Sequence, residues 1–99
     1  MEQQPLETSE VEEMLEKLNG WQVEDGGKAI SRDFKFANFR EAFAFMTESA
    51  LMAEKMDHHP EWSNVYSSVS VRLTTHSANG LTKLDFKLAK AMDKAARAI

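Results

Sequence analysis

The sequence predicts an α+β fold of two layers, an antiparallel sheet with helices on one side. Three observations lead there. Capped segments with apolar residues at helical spacing occur three times. Segments with strict apolar–polar alternation lie between them, with a hairpin-like connection in the first half. The alternation means that one strand face is wet, which suits antiparallel strands better than a buried parallel sheet.

The elements follow in order. Residues 1–6 form a loose tail. Ser9 with Glu12 makes a capping-box pattern, and Val11, Met14, Leu15 and Leu18 fall at i, i+3, i+4 and i+7, one helix face. Asn19-Gly20 stops that helix. Trp21 and Val23, then Ile30, Phe34 and Phe36, alternate with polar residues around Asp25-Gly26-Gly27, a β-hairpin. Asn38 and Glu41 start a long helix that runs from about Phe39 to about Asp57, because Pro60 disfavours helix at the residue before it. In "SNVYSSVSVRLTTH", Val65, Val69, Val71 and Leu73 share one parity and Tyr66, Arg72, Thr74 and His76 the other. This is one long strand or two short ones kinked near Ser67-Ser68. Ser77 to Gly80 is a turn. Thr82 with Asp85 caps a last helix whose face is Leu81, Leu84, Leu88, Ala91, Met92 and Ala95.

The 99 residues suit a single domain, 1–99, with 42% apolar and 28% charged residues, a soluble globular balance. The net charge is −4 and no dense Lys/Arg patch stands out, which argues against nucleic acid held through phosphates and against a membrane-surface helix. Without cysteine there are no disulfides or thiolate metal sites. No apolar run is long enough for a membrane span, and the acidic N-terminus is unlike a signal peptide, so the cytoplasm is the expected compartment.

The chain's three histidines are the centre of interest. His58 and His59 end the long helix, and His76 ends the strand region. Glu54 and His58 stand at i and i+4, on one helical face, where a carboxylate can hold an imidazole in one tautomer. His59 diverges by about 100° on a regular helix, but the break at Pro60 can turn it toward the same cavity. Three readings are open. The histidines are solvated residues at a helix end, favoured by the macrodipole. Or Glu54, His58 and His76 hold a metal, although no HExxH or Cys/His pattern is present. Or the imidazoles perform acid–base catalysis on a small molecule, for which they titrate in the right range. Nothing supports a covalent nucleophile or a phosphate loop. Asp85 reads first as a helix cap, Arg72 as a solvated side chain, and Trp62 either stacks on a flat ligand or covers the core edge.

The run "ALMAEKMDHHPEWSNVY", followed by "TTH" and an Asp at the start of the last helix, resembles the pterin-4a-carbinolamine dehydratases. The match comprises Glu54, His58, His59, Pro60, Trp62, Tyr66, His76 and Asp85, with "LNGW" before the first strand, and covers nearly the whole chain. The resemblance implies a four-stranded antiparallel sheet with three helices packed on one face. It implies dehydration of 4a-hydroxytetrahydropterin to quinonoid dihydropterin, which recycles the tetrahydrobiopterin-type cofactor of aromatic amino acid hydroxylases. The pterin is substrate, and no metal or bound cofactor takes part. His59 is then the main acid, with His58 and His76 binding and sharing proton transfer. The pterin site would comprise Glu54, Asp57, His58, His59, Pro60, Trp62, Thr74, Thr75, His76, Ser77 and Asp85.

The same resemblance brings a second function class, a dimerisation cofactor of a transcription factor, and with it a nuclear location if the source is an animal. The long helix also offers two apolar stripes, Phe39, Ala42, Phe43, Met46, Ala50 and Ala53, and then Phe45, Met52 and Met56. One contact with a sheet leaves one of them exposed. A homodimer or homotetramer is therefore expected, as the family forms.

Overall fold

The computed structural model describes residues 4–99. Its elements are α1 (Thr8–Glu16), β1 (Gln22–Glu24), β2 (Ala29–Lys35), α2 (Phe39–Met56), β3 (Glu61–Val65), β4 (Ser68–Leu73) and α3 (Lys83–Ala98), with 3-10 turns at Asp25–Gly27 and His76–Ala78. The four strands form one antiparallel sheet in the order β1-β2-β4-β3. The α+β class expected from the sequence is borne out.

One sheet face and the helices share a core. Ile30 and Phe34 of β2 pair with Leu73 and Val69 of β4, so apolar side chains stand opposite one another. Onto them pack Ala42, Phe45 and Ala53 of α2, Leu88, Ala89 and Met92 of α3, and Val11 of α1. The Phe45 ring lies 4.5 Å from that of Phe34 and 5.0 Å from that of Phe36, centroid to centroid. Truncating such a buried aromatic to alanine costs about 3–5 kcal/mol.

The helix signals hold where the cap is local. Asn38 Oδ1 accepts from the Glu41 backbone N–H at 2.9 Å, and Thr82 and Asp85 cap α3 reciprocally. The α1 cap sits two residues earlier than expected, with Glu10 Oε1 accepting from the Glu7 N–H at 3.1 Å. Of the expected tail, residues 1–3 lie outside the described residues. Leu6 is not loose, since its N–H donates to the Leu81 carbonyl at 2.7 Å and its side chain packs on the core.

Four readings of faces are corrected. β3 and β4 are two strands joined at Tyr66-Ser67, with Tyr66 at φ 51°. Val65 therefore pairs with Ser68 and leaves the core face, 76% exposed, while Trp62 and Asn64 turn inward. A two-residue turn resets strand parity, and continuous counting misses that. In α2 the buried stripe is Ala42, Phe45, Ser49 and Ala53, with Met46, Met52 and Met56 half-buried beside it. Phe39, Phe43 and Leu51 are 46%, 55% and 64% exposed. In α3, Leu88, Met92 and Ala95 are buried as expected, Asp85, Phe86 and Ala89 join them, and Leu84 and Ala91 are half-buried shoulders. Opposite them, Lys83, Lys87, Lys90, Lys94 and Arg97 form an exposed basic stripe that linear reading dispersed.

Candidate active site

α2 ends one residue before the histidines. Asp57 adopts the left-handed conformation, φ 53° and ψ 42°, and the next N–H, of His58, turns back to the Ala53 carbonyl at 3.0 Å. This is the way helices commonly terminate, with Gly or Asn usually at the left-handed position. The reversal takes His58 off the helical track. The expected Glu54–His58 pair is therefore not formed; it is His59 Nε2 that meets Glu54 Oε1, at 2.9 Å.

His58 goes the other way, into the protein. Its Nε2 lies 2.6 Å from Asp85 Oδ1, and both side chains are buried. The second Asp85 oxygen accepts from the Thr82 N–H at 2.9 Å and from the Thr75 hydroxyl at 2.7 Å. Thr75 has one proton and uses it there. The 2.9 Å contact between the Thr75 and Thr82 hydroxyls is thus donated by Thr82. Three donors converge on one carboxylate, so His58 presents an N–H from Nε2 and its Nδ1 remains for other contacts. Asp85 is both the helix cap expected from the sequence and the partner of His58.

His76 stands exposed on the 3-10 turn after β4, and its Nε2 meets Glu61 Oε2 at 2.8 Å. The other Glu61 oxygen accepts from Arg72 Nη1 at 2.9 Å. The hydrogen bond from His76, and next that from Arg72, hold the Glu61 carboxyl below the usual carboxylate range. Arg72 also donates from Nε to Glu24 at 2.7 Å and from Nη2 to Asp25 at 3.3 Å. Its guanidinium is raised by Glu24 first and then by Glu61. Ser31 and then Arg72 lower Glu24 in turn. Arg72 is thus the hub of an ion-pair network rather than a lone solvated side chain.

Each of the three imidazoles is consequently held through Nε2 by its own carboxylate. Glu61 is the residue that sequence reasoning missed. Placing the hairpin at Tyr66-Ser67 would have found it, because that register sets Glu61 opposite Arg72. The remaining expected residues have contacts or exposure of their own. Trp62 is half-buried and packs on the core edge. Pro60 is half-buried beside it. Thr74 donates its hydroxyl to the Lys28 carbonyl at 2.6 Å. Asp57 and Ser77 are exposed. Glu54, His58 and His76, the set once open to a metal reading, each face a different partner. Among the described residues no group of three His, Asp or Glu side chains gathers to hold a cation.

The family model for pterin 4 alpha carbinolamine dehydratase matches residues 4–95. The chain belongs to this family. The resemblance carried by the histidine run is thereby borne out, and with it membership of a family named for a hydro-lyase. A pterin-4-alpha-carbinolamine dehydratase, provisionally so named, from Rhizobium johnstonii is 62% identical over 96 residues, covering 97% of this chain and 95% of the relative. One so named from Chelativorans is 58% identical over 93 residues, covering 94% and 95%. A solved structure from Brucella melitensis, described as a transcriptional coactivator/pterin dehydratase, superposes with a TM-score of 0.90 at 54% identity, covering 93% of this chain and 98% of that one. A pterin dehydratase-like RuBisCO assembly factor of the alpha-carboxysome shares the fold, with a TM-score of 0.69 at 19% identity, covering 79% and 90%.

Proposed function

We propose that this chain dehydrates 4a-hydroxytetrahydropterin to quinonoid dihydropterin and water. In that reaction the C4a–O bond breaks and the hydroxyl leaves as water after accepting a proton. The N5–H bond gives up its proton, and its electron pair forms the C4a=N5 double bond. One proton is delivered and one removed, so the catalyst returns to its starting state without a metal, an oxidant or a bound cofactor.

The observation that carries this reading is the set of three carboxylate-held imidazoles. His59 and His76 are exposed and stand close in connectivity. Pro60 and Glu61 follow His59, and Glu61 bonds His76. With Nε2 on a carboxylate, Nδ1 of each is left to exchange a proton with a bound molecule. His59, steadied by Glu54, serves as the principal acid toward the 4a-hydroxyl, and His76, steadied by Glu61, as its partner at N5. His58, buried against Asp85, binds and orients the pterin and shares in proton transfer. The reaction restores a tetrahydropterin cofactor for aromatic amino acid hydroxylases, in the cytoplasm. Among the described residues no helix is long and apolar enough to cross a membrane.

The test is turnover with freshly generated 4a-hydroxytetrahydropterin, followed by absorbance of the quinonoid product. Acceleration over the spontaneous dehydration is expected. A rate equal to the spontaneous one overturns the reading.

A second reading, as an interaction module for a transcription factor, rests on α2. Its outer face exposes Phe39, Phe43 and Leu51. Such a stripe is a partner surface, and self-association as a homodimer or homotetramer is the occupant we assign to it. Met52, expected there from the sequence, packs instead against the core.

A further inference from the structure

The outer face of α3 carries five cations and no anion. Lys83, Lys87, Lys90, Lys94 and Arg97 follow at i, i+4, i+7, i+11 and i+14, and all are exposed. At 100° per residue they fall within an arc of about 80°, along about 21 Å of helix. The helix's own carboxylates cannot neutralise them, because both point inward. Asp85 bonds His58, and Asp93 bonds Arg32 at 2.7 Å and the Trp21 indole at 2.9 Å. Among the described residues the ion pairs engage Arg32, Arg72 and the histidines, and none of the five. This concentration of positive charge stands on a chain whose net charge is −4.

Beside the stripe lies an apolar slot. Met14 and Leu18 of the α1 region and Phe86 of α3 form its floor, and Lys17, Lys83, Lys87 and Lys90 its rim, enclosing about 250 Å³. That is below the roughly 300–1,000 Å³ of ligand pockets and suits a bulky apolar side chain.

We propose that this face docks an acidic amphipathic segment of another protein, its carboxylates along the lysine stripe and one apolar side chain in the slot. Charge complementarity selects an acidic partner, and the apolar floor selects a peptide over a nucleic acid, whose phosphates have no use for it. A second copy of this chain is a poorer occupant. Its acidic helix α1 buries Val11 and packs Met14 and Leu15 against its own core, and its exposed apolar side chains on α2 are those assigned above to self-association.

The probe is a fluorescein-labelled peptide of about 15 residues, matched to the stripe at 1.5 Å per residue, with Glu at three- and four-residue spacing and a single Leu. Controls are the Leu→Ser version of the peptide and a single-stranded oligodeoxynucleotide of like length. Anisotropy should show salt-sensitive binding, weakened about tenfold or more in Lys87→Glu/Lys90→Glu, with loss of affinity for the serine peptide. The variant should keep its circular dichroism spectrum and its dehydratase turnover, since no histidine or carboxylate of the site is touched. Absence of peptide binding, equal binding by the variant, equal binding of the serine peptide, or tighter binding of the oligonucleotide would each overturn the proposal.

Discussion

His58 Nε2 and Asp85 Oδ1 meet at 2.6 Å, and through them the end of α2 is fastened to the first turn of α3. The contact is buried, so its removal is felt in stability as well as in the site. Asp85→Ala leaves the Thr82 N–H, the Thr75 hydroxyl and the His58 N–H without their acceptor. A loss of about 1–3 kcal/mol or more is expected, the cost of leaving buried donors unsatisfied. Urea unfolding measures it, and a loss under about 1 kcal/mol contradicts the network.

His59→Ala should fold like the unmodified chain, because the side chain is exposed and its partner Glu54 is solvated. Turnover should fall by roughly 10²-fold or more, as for a positioned acid. His76→Ala should cost less. Initial rates with 4a-hydroxytetrahydropterin decide between them, and near-unchanged turnover in His59→Ala removes it as the principal acid.

Glu61 gives a pH test. Its carboxyl is lowered mainly by the His76 hydrogen bond, with Arg72 next. A lowered folded-state pKa stabilises the fold above the ordinary carboxylate value, and that stabilisation is lost as pH falls through the lowered one. The Glu61 side-chain carbon in an NMR titration should thus turn over at lower pH than a free glutamate. In His76→Ala the midpoint should move back upward. An unmoved midpoint means that the 2.8 Å contact is not formed in solution.

Self-association should depend on α2. Phe43→Asp places a carboxylate in the exposed stripe, where an apolar contact cannot accept it without cost. Sedimentation should show the unmodified chain as dimer or tetramer and the variant shifted toward monomer. A monomeric unmodified chain at high concentration refutes the assignment.

Asp57 separates structure from substrate binding. Its φ of 53° suits glycine better than any side chain. Asp57→Gly should keep stability and turnover, whereas Asp57→Val should lose about 1–2 kcal/mol. A large loss of turnover in the glycine variant would place Asp57 in the pterin site.

Much of this was legible in the sequence because the signals were local. Asn38 with Glu41 and Thr82 with Asp85 are read within one helical turn, and Asp25-Gly26-Gly27 within one hairpin. What escaped depended on partners far along the chain. Periodicity allows α2 to bury either Phe43 or Phe45, and contact with Phe34 and Phe36 chooses Phe45. The burial of His58 is supplied by α3. The end of α2 at about Asp57 was legible through Pro60, but the left-handed turn there was not, and it gives Glu54 to His59 rather than to His58.

The left-handed residue at the end of α2 makes the histidine pair sensitive to chain length rather than to composition. Each residue added to or removed from α2 swings its end by about 100° and moves it about 1.5 Å. A change of this kind before Glu54 carries His58 away from Asp85, which is anchored on α3, while His59 and Glu54 move together. Exposed positions such as Arg40 and Thr47 can therefore vary in kind while the number of residues between Asn38 and Asp57 cannot. Insertions here should abolish turnover even where they leave the sheet intact, and the loops at Asp25–Gly27 and Tyr66-Ser67 are where added length can be absorbed.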